Sequence, residues 1–320
     1  MNVLSLFDGM SCGRIALDRA GIKYDKYFAS EIDKFAIKVS THNYPDTQHL
    51  GDVTQVRGED LPEIELLIGG SPCQGFSFAG KGLNFDDPRS RLFFEFVRLK
   101  NELNPKYFLL ENVPMKREHQ MVISKYLGVE PIVINSALVS AQNRVRYYWT
   151  NIKAEPFNLF GDCRSTIRQP KDKRIFLKDI LEVNTHGKYF LSGKRLEQMI
   201  KRQGKFSQLD GSKAYCLTAR TYAGWSGDFL KVDINGIPKN NQEKAACFTA
   251  GANSAGNHSD MDIIQDGAKY RRLTPLEVER LQTVPDNYTA VVSDSQRYKM
   301  LGNGWTVDVI AWILSHIDAL

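Results

Sequence analysis

The run Asn2-Val3-Leu4-Ser5-Leu6-Phe7-Asp8-Gly9-Met10-Ser11 predicts a buried strand that ends in a glycine-bearing turn, and a helical pattern follows it at residues 13–20. Strand and helix patterns continue to alternate along the chain, at a spacing that is typical of βαβ crossovers. We therefore expect an α/β fold class, with a doubly wound, Rossmann-like sheet in the first 155 residues. Further strands are predicted at residues 26–31, 66–69, 107–111, 133–138 and 145–152, and helices at 33–44 and 89–103.

The alternation stops after Pro156, and the chain then becomes rich in Gly, Lys, Asn and Ser up to about residue 268. Helical signals return at Thr274-Pro275-Leu276-Glu277, which combines an N-cap, a proline at the first helical position and a capping-box glutamate. The amphipathic segment 307–320 predicts a last helix that packs on the first domain. The expected division is a main domain of residues 1–156 plus 269–320 and a smaller inserted domain, mainly β and irregular, of residues 157–268.

The composition is that of a globular protein, with 42% hydrophobic and 25% charged residues, and no apolar run is long enough to cross a bilayer. The first residues lack the basic region of a signal peptide. The five cysteines include no Cys-x-x-Cys, which argues against a disulfide framework and against a zinc site. We expect a protein of the reducing cytoplasm that binds no metal and contacts no membrane.

Positive charge is concentrated in one part of the chain. The net charge is +5 overall, whereas residues 161–213 alone contain 13 Lys and Arg against 6 Asp and Glu. A solvated basic surface is the simplest explanation of such a cluster. Because the surplus is confined to about one sixth of the sequence, it also indicates a polyanion partner such as nucleic acid.

Two segments, 213–219 and 244–250, share five of seven positions and begin 31 residues apart. One interpretation is a pair of strand-loop arms whose side chains contact base edges. The other is a repeated strand in a small β-subdomain. The candidate base contacts that follow the two copies are Arg220, Tyr222, Trp225, Asn253, Asn257 and His258.

A single cysteine lies at the tip of the turn in Ile68-Gly69-Gly70-Ser71-Pro72-Cys73-Gln74-Gly75-Phe76-Ser77. Most lone cysteines serve as small hydrophobes inside apolar segments. Cys73 instead follows a Gly-Gly-Ser-Pro turn and precedes a run of small residues, which is where a nucleophile is usually placed. It is therefore a candidate nucleophile.

A glycine in the first turn and an acidic residue after the second strand predict an adenosine site. Gly9 lets a ligand approach the backbone, and Glu31, roughly 20 residues further on, is placed to accept both ribose hydroxyls. Asp52, after the third strand, is a candidate partner of the adenine amino group. Because the chain lacks the G-x-G-x-x-G spacing, the pattern favours a nucleoside cofactor without phosphates.

Two more polar segments adjoin apolar strands. Glu111, in Glu111-Asn112-Val113, follows a strong apolar run and is a candidate general acid, although a glutamate at a strand end is more often structural. The run 142–146 alternates polar and apolar residues, which predicts Gln142, Arg144 and Arg146 on one face of a strand. A guanidinium there is a candidate to hold a carbonyl group or to orient Glu111.

Four segments resemble, in order and spacing, the signature of the cytosine-C5 DNA methyltransferases. They are Ser71-Pro72-Cys73-Gln74, Glu111-Asn112-Val113, Gln142-x-Arg144-x-Arg146 and Leu301-Gly302-Asn303-Gly304. The resemblance covers nearly the whole chain. It implies a catalytic domain that converts S-adenosylmethionine to S-adenosylhomocysteine, and an inserted target-recognition domain. It also implies that the Cys73 thiolate adds to C6 of a cytosine flipped out of duplex DNA, with Glu111 at N3 and Arg146 on the O2 side.

By the same resemblance, functional residues carry over position by position. The implied catalytic set is Cys73, Glu111, Asn112, Gln142, Arg144 and Arg146. The implied cofactor contacts are Phe7, Gly9, Met10, Glu31, Ile32, Asp52, Val53, Pro72, Leu92, Asn303 and Val307. Gln74 and Ser77 join the candidate DNA contacts. The sequence departs from the bacterial pattern at Ser5, where an aspartate is usual, and at Ser11 and Cys12, where glycines are usual.

Other functions fit parts of this pattern. A transfer-RNA cytosine methyltransferase shares the scaffold, but such enzymes usually have a second proline before the cysteine, where this chain has Ser71-Pro72. A catalytically silent DNA-binding protein and a nicotinamide oxidoreductase are further alternatives. We expect a monomeric enzyme that acts on double-stranded DNA in the cytoplasm of a prokaryotic or phage-infected cell, beside the nucleoid. A partner restriction endonuclease is compatible with this function and not physically required.

Overall fold

The computed structural model describes residues 1–71, 88–158, 161–183, 185–190, 211–212, 229–232, 243–244 and 269–318. The chain forms two compact units. The first unit is Met1–Asn135, Val145–Pro170 and Val307–Leu320, and the second is Ser136–Arg144 and Lys171–Thr306. The predicted division placed residues 269–306 in the main domain, whereas they belong here to the second unit. Which segments form the target-recognition domain stays a prediction.

The first unit is built on a seven-stranded sheet. In spatial order, β3, β2, β1, β4 and β5 run parallel, and antiparallel β8 and then β7 complete the sheet. Short strands β6, β10 and β9 form a second sheet. The strands are β1 (Asn2–Leu6), β2 (Lys26–Ser30), β3 (Gln48–His49), β4 (Leu66–Gly69), β5 (Tyr107–Asn112), β6 (Val129–Glu130), β7 (Ile132–Asn135), β8 (Val145–Thr150), β9 (Ala154–Pro156) and β10 (Cys163–Ser165).

The order of the parallel strands confirms the doubly wound α/β class. From β1 the chain moves outward through β2 to β3, then returns to the other side of β1 and continues through β4 to β5. The central strands are apolar on both faces, as parallel strands covered by helices require. Leu4, Leu67 and Leu110, for example, are fully buried in one hydrophobic core with Phe96 and Trp149.

Helices occupy the connections and the carboxyl-terminal segment. The first unit contains α1 (Cys12–Ala20), α2 (Lys34–Asn43), α3 (Pro88–Leu103) and α4 (Arg117–Leu127); the second contains α5 (Leu177–Ile180), α6 (Pro275–Leu281) and α7 (Asp294–Asn303); and α8 (Val307–Leu314) returns to the first. The side chain of Asp33 caps α2 by accepting from Phe35 N at 2.9 Å, as predicted. None of the helices in the described part of the chain is long and apolar enough to cross a membrane.

The last helix packs against the first, which confirms the prediction that the carboxyl-terminal segment returns to the first domain. An ion pair joins Arg19 of α1 to Asp308 of α8, and the α8 side chains of Val309, Ile310 and Ile313 are fully buried. The helix ends at Leu314, earlier than the predicted limit at residue 320.

Some predicted elements differ from the structure. The predicted strand 133–138 is wrong at its end, because β7 stops at Asn135 and residues 136–138 form a 3₁₀ turn. Helices α4 and α7 were not predicted. The α7 segment has little apolar periodicity, so its helix depends on tertiary contacts such as the bond from the Tyr298 hydroxyl to Leu273 O at 2.6 Å.

Polar bonds organise the described part of the second unit. Thr274 and Glu277 form the predicted capping box of α6, with Glu277 N donating to Thr274 Oγ1 at 3.2 Å and Thr274 N donating to Glu277 Oε2 at 2.8 Å. Glu277 also pairs with Arg271 at 2.8 Å, and both side chains are fully buried. Two strand pairs belong to this unit: β11 (Gly211–Ser212) with β13 (Glu243–Lys244), and β12 (Phe229–Val232) with β14 (Lys269–Arg272).

The substitution Ile310→Ala tests the burial of α8 in the first unit. The free energy of unfolding should fall by about 2–4 kcal/mol, because the change leaves a cavity in a fully buried contact. The measurement is urea denaturation, with Ser315→Ala on the exposed side as the matched control, for which we expect a change of about 0.5 kcal/mol or less. Equal effects of the two substitutions would contradict the packing described.

Candidate active site

Several of the residues predicted to be functional lie at one edge of the first unit's sheet. Strands β1, β2, β4 and β5 are parallel, so their carboxyl ends meet at the same edge. The chain reverses its direction of winding between β1 and β4. Such a switch point is where doubly wound sheets bind ligands.

The turn after β1 has an unusual backbone. Phe7, Gly9 and Ser11 all adopt positive φ, at 57°, 60° and 64°. A Cβ atom added at Gly9 would meet no atom within 4 Å, so the space in front of this residue is open. The turn therefore exposes backbone at the position where the sequence predicts a ligand to approach.

Glu31, directly after β2, is held in a fixed orientation. Its Oε2 accepts from Gly9 N, and its Oε1 accepts from the backbone N–H groups of Ile32 and Asp33, each at 2.8 Å. Because each carboxylate oxygen has two lone pairs, Oε2 keeps the capacity to accept a further hydrogen bond. The neighbouring Ile32 side chain is 75% exposed. A fixed acceptor beside an exposed apolar side chain is suited to a ribose and its base.

The other described residues that are predicted to contact the cofactor differ in their exposure to solvent. Asp52 is exposed and its Oδ1 accepts from Thr54 N at 2.9 Å, while Leu92 is half-buried against the core. Asn303 ends α7 in the second unit and is exposed. The side chains of Met10, Val53 and Val307 are buried in the first unit.

Two charged side chains face each other on neighbouring strands. The Nε atom of Arg146 lies 2.9 Å from Oε1 of Glu111, and each side chain is only 12% exposed. Glu111 on β5 stands opposite Tyr148 on β8, so Arg146 is the diagonal neighbour on the same face. The structure thus brings together the two residues predicted to act on the pyrimidine ring.

Asn112 connects the end of β5 to the segment that follows β4. Its Nδ2 donates to the Ser71 hydroxyl at 3.2 Å and to Ser71 O at 3.4 Å, and its Oδ1 accepts from Val113 N at 2.8 Å. Both Asn112 and Ser71 are buried. Ser71 is the last described residue before Cys73. Its hydrogen bond to Asn112 was not predicted, because no local sequence pattern connects positions 41 residues apart.

Gln142 and Arg144 are placed differently from Arg146. Strand β8 begins at Val145, so the prediction that all three residues share one face of a strand is wrong. Arg144 is 3% exposed and donates to Gly304 O at 2.9 Å and to Gly302 O at 3.4 Å. Gln142 is fully buried and donates to Leu281 O at 2.7 Å. Within the second unit, both side chains bond to backbone oxygens.

Ten of the predicted site residues lie outside the described residues: Cys73, Pro72, Gln74, Ser77, Arg220, Tyr222, Trp225, Asn253, Asn257 and His258. Where side chains are described, no group of three or more His, Cys, Asp and Glu is arranged to hold a metal ion.

Comparison with known proteins identifies the family. Residues 1–319 match the family model of the C-5 cytosine-specific DNA methylases, and the chain belongs to this family. The type II methyltransferase M1.ScrFI of Lactococcus lactis subsp. cremoris is 32% identical over 96% of this chain and 75% of its own length. M.NlaX of Neisseria lactamica is 30% identical over 99% of this chain and 96% of its own. The orphan methyltransferase M.SPRI of Bacillus phage SPR is 26% identical over 99% and 97%.

Solved structures show the same fold. The Entamoeba histolytica methyltransferase EhMeth superposes with a TM-score of 0.72 at 17% identity, covering 99% of this chain and 97% of its own. A mutant of Spodoptera frugiperda DNMT2 gives 0.68 at 22% identity, covering 98% of each chain. The family match confirms the resemblance drawn from the sequence. The protein is a DNA cytosine-C5 methyltransferase that uses S-adenosylmethionine as its methyl donor.

The substitution Arg144→Met tests whether this side chain supports the backbone. The free energy of unfolding should fall by about 2–4 kcal/mol, because one buried and one partly buried carbonyl oxygen lose a charged donor. Denaturant unfolding measures the change, and Arg168→Met, at an exposed position, is the control with an expected effect of about 0.5 kcal/mol or less. A stability of Arg144→Met equal to that of the control would contradict this role.

Proposed function

We propose that the enzyme methylates C5 of a cytosine flipped out of duplex DNA through a covalent bond between Cys73 and C6. C5 of cytosine is a poor nucleophile until another group adds to C6. The Cys73 thiolate forms the S–C6 bond, and the electron pair displaced from the C5–C6 bond makes C5 nucleophilic. Bound S-adenosylmethionine would supply the methyl group to C5, with the methyl–sulfur bond breaking as S-adenosylhomocysteine leaves. A base then removes the proton from C5, and the thiolate leaves as the C5–C6 double bond re-forms.

The bond between Asn112 and Ser71 is the observation that carries this proposal. It fixes Ser71 beside the end of β5, where Glu111 and Arg146 form their ion pair. Cys73 is two residues further along the chain, and two residues of fully extended chain span at most about 7 Å. We propose that the Cys73 sulfur acts beside this pair.

Glu111 and Arg146 have complementary roles in this mechanism. A proton shared between Glu111 and N3 lets the ring accept the electrons that arrive with the thiolate. Arg146 holds the Glu111 carboxylate in place and offers its remaining N–H groups to the O2 side of the base. Asn112 positions the strand end. We infer that Gln142 and Arg144, predicted as catalytic, act through the backbone groups that they hold.

The cofactor site fits the family's methyl donor. The open backbone at Gly9, the spare lone pair of Glu31 and the exposed Ile32 provide a place for a nucleoside, and Asp52 adds an exposed carboxylate on the same side of the sheet, after β3. None of these groups is arranged to neutralise a pyrophosphate, in agreement with a nucleoside cofactor. Phe7, Met10, Val53, Pro72, Leu92, Asn303 and Val307 complete the proposed set.

We further propose that residues 157–268 form the target-recognition domain, with base contacts from Arg220, Tyr222, Trp225, Asn253 and Asn257, and with Gln74 and Ser77 on the catalytic side. The basic surplus of residues 161–213 would bind phosphates. The protein would work as a monomer. We place it in the cytoplasm of a prokaryotic or phage-infected cell, because curated relatives come from bacteria and phages. A partner endonuclease would not be physically required.

The substitution Cys73→Ser tests the covalent mechanism. Methyl transfer from labelled cofactor to duplex DNA should fall by roughly 10³-fold or more, because the nucleophile is lost. The unmodified chain should also form an irreversible adduct with duplex DNA that carries 5-fluorocytosine at the methylated position, and Cys73→Ser should form none. Bisulfite sequencing of DNA from cells that express the chain identifies the sequence context in which to place this base.

Cys163→Ser is the matched control, because Cys163 is partly exposed on β10 and should not affect either measurement. A Cys73→Ser variant that keeps its methylation rate, or an unmodified chain that forms no adduct, would contradict the mechanism. Transfer RNA offered in place of duplex DNA should accept no methyl groups.

A further inference from the structure

A buried carboxyl group lies inside the turn that exposes backbone at the cofactor site. Asp8 is 8% exposed and stands between Phe7 and Gly9, both of which have positive φ. Its side chain points into the protein, and its backbone N–H donates to Ser30 O on β2 at 3.1 Å. The proposed mechanism makes no use of this group.

Two hydroxyl groups hold the Asp8 carboxyl from different elements. The Tyr27 hydroxyl on β2 donates to Oδ1 at 2.7 Å, and the Ser11 hydroxyl, at the start of α1, donates to Oδ2 at 2.5 Å. The Ser11 hydroxyl also lies 2.6 Å from the hydroxyl of Ser40 on α2. Asp8, Ser11, Tyr27 and Ser40 are all buried, so these bonds are shielded from water. We call these four residues the Asp8 network.

The Asp8 network stabilises Ser11 in a left-handed backbone conformation. Left-handed backbone is unfavourable for any residue except glycine, with asparagine and aspartate the partial exceptions. Ser11 has φ 64° and ψ 40° without being glycine, and its backbone N–H donates to Asp8 O at 3.1 Å while its O accepts from Arg14 N and Ile15 N. The side-chain bond between Ser11 and Asp8 therefore closes a small ring that stabilises this conformation.

The arrangement also bears on the departure from the bacterial pattern at Ser11. The chain has Ser5 where an aspartate is usual and Ser11 where a glycine is usual. A carboxyl group is still present at the end of β1, three residues further along at Asp8. There it supports the serine at position 11, where a glycine would need no support.

We propose that Asp8 is a positioning residue for the cofactor: through Tyr27 and Ser11 it fixes the turn of residues 7–11 in the conformation that binds S-adenosylmethionine. Glu31 holds the same turn from the outside through Gly9 N, so two carboxyl groups brace one short segment. Burial raises the pKa of Asp8, against the opposing effect of the hydrogen bond from Ser11. This inference rests on the cofactor site described under the proposed function.

Binding of S-adenosylmethionine by three variants tests the role, with isothermal titration calorimetry as the measurement. Tyr27→Phe removes one bond to the carboxyl and should raise the dissociation constant about 5- to 10-fold. Asp8→Ala removes both and should raise it further, to more than about 10-fold. Adding Ser11→Gly to Asp8→Ala should restore the affinity to within about 3-fold of the unmodified chain, because glycine adopts positive φ without the brace.

Steady-state kinetics separate positioning from a general loss of structure. At saturating cofactor and DNA, kcat of Tyr27→Phe should stay within about 2-fold of the unmodified chain, while KM for the cofactor rises with the dissociation constant. Thr150→Val is the matched control, because it also removes one buried hydroxyl, which donates to Phe108 O at 2.6 Å on the other half of the sheet. It should lower the melting temperature without changing the affinity for the cofactor.

Three results would overturn the proposal. Tyr27→Phe and Asp8→Ala could bind the cofactor as tightly as the unmodified chain, Thr150→Val could weaken binding as much as Tyr27→Phe, or Ser11→Gly could restore nothing in the Asp8→Ala background. An unmodified chain that binds no S-adenosylmethionine would instead overturn the cofactor site itself, and with it the role of Asp8. These outcomes are distinguishable in the same set of titrations.

Discussion

Parallel pairing of β1 with β2 and β4, and of β4 with β5, is the constraint on which the site depends. Parallel strands must end at a common edge, so the turn after β1, Glu31 after β2, Ser71 after β4 and Asn112 at the end of β5 are brought together whatever the lengths of the connections between them. The fully buried apolar faces of these strands supply the stability. The polar residues at their ends are thereby available for binding and catalysis.

The edge has two halves with different chemistry. On the side of β1, β2 and β3, backbone groups and carboxylates with spare lone pairs are suited to a nucleoside. On the side of β4, β5 and β8, Glu111 and Arg146 are paired and mostly shielded from water, which strengthens their interaction relative to an exposed pair. The methyl donor and the base would therefore meet at the switch point between β1 and β4.

Sequence patterns predicted the parts of the fold that follow from local regularity. Strands β1, β2, β4 and β5 are continuous apolar runs, and the Thr274 capping box is a local motif, so both were predictable. Contacts between distant positions were not. Arg144 and Gln142 belong to an alternating run that is typical of a strand. Their bonds to Gly304 O and Leu281 O connect residues about 140 to 160 positions apart, which periodicity cannot reveal. The alternating run 142–146 predicted a guanidinium that orients Glu111, and the family resemblance indicated that Arg146 supplies it.

A double-mutant cycle on Glu111 and Arg146 tests the central claim, that these two side chains act as one unit on the reacting base. The rates to compare are kcat at saturating DNA and cofactor for Glu111→Gln, Arg146→Met and the double variant. Each single change should lower kcat by roughly 10²- to 10³-fold, and the double variant should be only slightly slower than the worse single one, because breaking the pair once removes its function. Losses that multiply in the double variant would show that the two residues act independently and would contradict the account.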